Sequence, residues 1–90
     1  MGQYIPPLRD MQFVLHEMLK VESRLRQLPP HAEIDATIID AVLDEGGKFC
    51  SEVLYPLNQV GDREGCTRHA DGSVTTPTGF KDAYRRLVAA

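Results

Sequence analysis

The chain has 90 residues, of which 42% are hydrophobic and 26% are charged, and its formal net charge at pH 7 is −3. A chain of this length forms at most one domain and buries only about 60–65% of its unfolded surface, so a core of its own would be marginal. The ordinary composition excludes a disordered or collagen-like chain, and the slight negative charge argues against nucleic acid as a partner.

The first predicted helix runs from about Leu8 to Leu28, and its later part reads as a separate helical piece. Two prolines precede it, and the acidic Asp10 in its first turn suits the positive end of the helix dipole. An apolar stripe follows helical spacing at Leu8, Met11, Leu15 and Met18. Phe13 falls on the opposite side, which raises the question of what this second, off-stripe aromatic packs against.

The second predicted helix is the clearest element and runs from Asp35, a plausible cap, to near Leu57. We expect Pro56 to mark its exit. Gly46 falls on its apolar side, where a glycine costs about 1 kcal/mol relative to alanine, so we expect a close helix–helix approach there. The apolar side is broad: Ile38, Ile39, Val42, Leu43, Phe49, Cys50, Val53, Leu54 and Leu57.

A turn-rich segment with a hairpin signal separates the second helix from a third. The pair Asp71-Gly72 lies between the short segments Thr67–His69 and Ser73–Thr75, which favours a small antiparallel hairpin. Thr76 followed by Pro77 is typical of a helix start. The third helix then shows an apolar stripe that is still in pattern at the last residue, so we expect the polypeptide to continue: Phe80, Ala83, Tyr84, Leu87 and Val88.

These elements predict an all-α fold of three main helices, with a short β-hairpin-like turn segment between the second and the third. We divide the chain into an N-terminal extension helix with a proline hinge, residues 1–33, and the beginning of a helical domain, residues 34–90. The residues expected to pack against further protein are listed here: Phe13, Leu15, Met18, Gly46, Phe49, Val53, Phe80 and Tyr84.

Two cysteines, Cys50 and Cys66, are too few for a disulfide framework, although a bridge between them stays open. No apolar run approaches the roughly 20 residues of a membrane span, and the N-terminus lacks the basic and apolar regions of a secretory signal. We therefore expect a cytoplasmic protein without a membrane span.

The sequence offers no catalytic, cofactor-binding or metal site that stands out. It lacks the glycine-rich phosphate loops and the serine elbow of hydrolases. Cys66, His69 and Asp71 fit no common zinc spacing, so a small metal-binding protein remains only a weak alternative. The acidic residues Asp40, Asp44 and Glu45 lie on the polar side of the second helix, which indicates a solvated face.

Three segments resemble the acyl-CoA dehydrogenase family. Ala41–Cys66 resembles a long helix of that family, which carries aromatic and acidic residues, reaches a proline and passes through an Asp-Arg-Glu-Gly turn, here Asp62 to Gly65. Tyr4–Glu17 is similar to the N-terminal extension of a long branch that includes the 3-methylmercaptopropionyl-CoA dehydrogenases. Val74–Ala90 is similar to the Thr-Pro-x-Gly-Phe helix of the same branch. Together the segments cover nearly the whole chain.

The resemblance implies an N-terminal helical part of an FAD-dependent enzyme that removes hydrogen from the α and β carbons of an acyl-CoA thioester. It implies FAD as the cofactor of the full-length family, with acyl-CoA and electron-transfer flavoprotein as partners of the full-length enzyme only. The family's carboxylate base and flavin site lie in other regions, so neither carries over to a residue of this chain. We expect this chain to be inactive alone and to pack against the rest of its subunit or a neighbouring subunit.

A second hypothesis stays open. The chain could be a complete helical interaction module that self-associates or pairs with a dehydrogenase subunit, because the apolar side of the second helix is broad.

Overall fold

A computed structural model describes residues 3–90, and these residues are mostly helical. The all-α fold predicted from the sequence is confirmed, including the small hairpin. The described elements are α1 (Leu8–Gln12), a first π-helical segment (Phe13–Met18), α2 (Val21–Leu25), a 3-10 turn (Pro29–His31), α3 (Ala36–Phe49), a second π-helical segment (Cys50–Leu54), α4 (Tyr55–Glu64), β1 (Thr67–Arg68), β2 (Val74–Thr75) and α5 (Phe80–Ala89).

The chain divides into two compact units, which we describe separately. The first unit is Ile5–Lys48, and the second contains Phe49–Ala90 together with the N-terminal residues up to Tyr4. The division predicted from the sequence, between residues 33 and 34, concerns the domains of a full-length relative and stays a prediction.

The first predicted helix is not continuous, which corrects the expected span from Leu8 to Leu28. The helix begins at Leu8 as predicted, changes to π-helical geometry at Phe13, and is interrupted at Leu19 and Lys20. Lys20 has a φ of 51°, in the left-handed region, and its carbonyl oxygen accepts a hydrogen bond from the Ser23 hydroxyl at 2.9 Å. Serine bonds of this kind compete with the helical ladder, so α2 forms as the separate piece that the sequence indicated.

The second predicted helix starts as expected and ends later than expected. The backbone N–H of Ile38 donates to Oδ1 of Asp35 at 2.9 Å, which confirms Asp35 as the N-cap. Pro56 does not end the helix. A proline inside a helix lacks a donor and clashes with the carbonyl four residues earlier, and the π-helical segment just before Pro56 relieves that clash. Helix α4 then continues to Glu64 and stops at Gly65, whose φ is 64°.

The hairpin is present and the predicted start of the third helix is wrong. Thr67 pairs with Thr75 and Arg68 with Val74 in antiparallel register, and Gly72 supplies a φ of 89° in the connecting turn. Helix α5 begins at Phe80 rather than beside Thr76 and Pro77. Gly79 precedes it with a φ of 89°, a conformation that residues with a Cβ rarely adopt, so the helix cannot extend back through this position.

Little of the described chain is fully buried. Ala83 on α5 is 3% exposed, and Gly47 and Pro77 are the other buried residues between residues 3 and 90. A Cβ at Gly47 would lie 3.0 Å from Cγ of Pro6, so this glycine permits a close approach of the segment before α1, and the helix–helix approach predicted at Gly46 stays a prediction. Gly46 itself is exposed and has no atom within 4 Å of a Cβ built on it.

Candidate functional site

The unit Phe49–Ala90 contains an open apolar groove, which we call the α4–α5 groove. Its volume is about 400 Å³. Most of its lining is apolar, with the amide of Asn58 and the phenol of Tyr84 as the polar groups: Phe49, Leu54, Leu57, Asn58, Phe80, Ala83, Tyr84 and Leu87. Three of the predicted packing residues, Phe49, Phe80 and Tyr84, therefore meet at one surface.

Two glycines let the walls of this groove approach closely. A Cβ at Gly61 on α4 would lie 2.8 Å from Cζ of Phe80, and a Cβ at Gly79 would lie 2.8 Å from Cδ2 of Leu57. Both distances are shorter than any real Cβ contact, so the absence of a side chain at each position brings α4 and the start of α5 together. The sequence placed Gly61 in a loop because the helix was expected to end near Leu57, and its packing role was missed for that reason.

A carboxylate and a threonine connect the end of α4 to the start of α5. Oε2 of Glu64 accepts the backbone N–H of Thr78 at 2.7 Å, and Oε1 accepts the Thr78 hydroxyl at 3.0 Å. The backbone hydrogen bond, followed by the hydroxyl bond, lowers the pKa of Glu64 below its ordinary value, because both favour the ionised form. This pair joins two of the segments that carry the family resemblance, the Asp62–Gly65 turn and the Thr76–Phe80 stretch.

The second π-helical segment holds residues at the N-terminus of the same unit. The Ser51 hydroxyl donates to the carbonyl oxygen of Tyr4 at 2.9 Å. The rings of Tyr4 and Tyr55 stack with centroids 6.4 Å apart. Val53, a predicted packing residue in this segment, is half-buried and does not line the groove.

The unit Ile5–Lys48 has its own apolar surface, which we call the Met11 surface. It is lined by Asp10, Met11, Val14, Leu15 and Leu43. Of the residues predicted to pack against further protein, Leu15 lies here and is half-buried. Phe13 and Met18 are 46% and 63% exposed, so the described chain covers neither of them completely.

A hydrogen bond that the sequence did not predict joins two helical segments of this unit. Nε2 of His16 lies 2.6 Å from Oδ1 of Asp40, and both side chains are partly exposed. The sequence predicted a solvated face for Asp40 and gave no partner for His16. The pairing was missed because the residues are 24 positions apart and no local pattern connects them.

The described residues bring together no cluster of metal ligands, and the lining of the α4–α5 groove does not fit a flavin. No group of three or more His, Cys, Asp or Glu side chains comes together within residues 3–90, and the thiols of Cys50 and Cys66 are both free. FAD carries a diphosphate that cations or several backbone N–H groups must face. The apolar lining of the α4–α5 groove does not fit such a group, so no flavin chemistry is derived from it.

None of the helices within residues 3–90 has the length and apolar character needed to cross a bilayer.

Comparison with known proteins finds relatives among the acyl-CoA dehydrogenases. The chain is 38% identical over 85 residues to a 3-methylmercaptopropionyl-CoA dehydrogenase of Ruegeria pomeroyi, a match that covers 94% of this chain. The chain is related to the N-terminal segment of acyl-CoA dehydrogenases. Two butyryl-CoA dehydrogenases of Syntrophomonas wolfei are 33% and 28% identical over 97% and 99% of the chain. No family model matches.

The match covers only a small part of the length of each relative. The chain spans 14% of the length of the Ruegeria enzyme and 15% of each Syntrophomonas enzyme. The resemblance to acyl-CoA dehydrogenases predicted from the sequence is confirmed, and most of the length of these relatives has no counterpart in the residues described.

Proposed function

We propose that this chain is the N-terminal helical part of a longer FAD-dependent acyl-CoA dehydrogenase and that it supplies packing surface rather than catalytic groups. The observation that carries the proposal is the asymmetry of the match, which covers 94% of this chain and 14% of the first relative. The activity of that longer protein would be the α,β-dehydrogenation of an acyl-CoA thioester, with FAD as cofactor.

Two exposed apolar surfaces support a packing role. The α4–α5 groove and the Met11 surface both leave apolar side chains exposed, and such surfaces mark sites where further protein binds. The partner would be the remainder of the same subunit or a neighbouring subunit, and electron-transfer flavoprotein would bind only the complete enzyme.

The test compares the native protein with the chain of 90 residues. The native protein is purified from the complete gene and assayed for bound flavin and for reduction of an electron acceptor with butyryl-CoA and 3-methylmercaptopropionyl-CoA. We expect flavin and activity in the native protein. The chain of 90 residues is titrated with FAD, and we expect no saturable binding.

Two outcomes would contradict the proposal. Stoichiometric FAD binding by the chain of 90 residues would end the packing-only role. A native protein without flavin and without dehydrogenase activity would end the assignment to this reaction.

A further inference from the structure

We draw no further inference here: the strongest candidate, the open apolar groove between α4 and α5, carries none, because nothing in the residues described shows what covers it.

Discussion

The two compact units are stabilised in different ways. In the unit Phe49–Ala90 the contacts gather where α4 meets the start of α5, with close approaches at Gly61 and Gly79 and the carboxylate of Glu64 on Thr78. In the unit Ile5–Lys48 they are spread along the chain, with Pro6 and Leu8 against Gly47 and the hydrogen bond between His16 and Asp40. The comparison teaches that two helices can be held in position with few buried residues. In the unit Phe49–Ala90, two glycines allow close contact and one carboxylate binds the turn before α5.

The largest effect is expected at Gly79. Gly79→Ala places a Cβ at a φ of 89° and within 2.8 Å of Leu57, and a non-glycine residue in such a conformation costs about 1–3 kcal/mol. Hydrogen exchange of the α5 amides should become faster by the corresponding factor. Gly72→Ala is the matched control, because Gly72 has the same φ but no atom within 4 Å of its Cβ position. Equal exchange of α5 in both variants would contradict the packing role of Gly79.

A substitution at Gly46 tests the unit Ile5–Lys48, and we expect it to raise the free energy of unfolding rather than lower it. Gly46→Ala should stabilise α3 by about 1 kcal/mol, because alanine favours a helix and the space around this residue is open. Thermal unfolding of the native protein measures the change. A loss of stability would instead show that another part of the longer protein approaches Gly46 closely, as the sequence predicted.

The hydrogen bond between His16 and Asp40 should contribute less. Both side chains are partly exposed, so we expect a coupling free energy of about 0.5–1 kcal/mol. A double-mutant cycle with His16→Ala and Asp40→Ala measures this quantity directly. Additive effects of the two single substitutions would show that the hydrogen bond does not stabilise the unit.

The smallest effect is expected from protonation of Glu64, a fully exposed carboxylate. Its pKa is lowered in the folded protein, so its contribution to stability is present above the ordinary value of 4.5 and is lost as the pH falls through the lowered value. The protection of the Thr78 amide should therefore decrease on acidification below pH 4.5. In Glu64→Gln this protection should be lower at neutral pH and should depend less on pH. An identical pH dependence in both proteins would contradict the assignment.

Local patterns predicted the existence of the helices and the hairpin better than their limits. Asp35 as a cap and Asp71-Gly72 as a turn follow from interactions within a few residues, and the structure confirms both. The continuation of α4 past Pro56 coincides with a π-helical segment, and the late start of α5 follows the left-handed backbone of Gly79, beside which Thr78 binds a carboxylate 14 positions away. No periodicity of apolar residues contains that information.

The packing surfaces were predicted in part for the same reason. Helical spacing identified Phe49, Phe80 and Tyr84, which share the α4–α5 groove. The spacing could not show which part of each apolar stripe is already covered within the chain. Phe13 remains 46% exposed in the residues described, so these residues do not show what it packs against.

The central claim is that this chain is part of a longer flavoprotein. The most direct test is the intact mass and the flavin content of the native protein, captured from its source cells with an antibody against Tyr4–Leu19. We predict a polypeptide several times heavier than 10.1 kDa that carries FAD. A flavin-free polypeptide of 10.1 kDa would contradict the account.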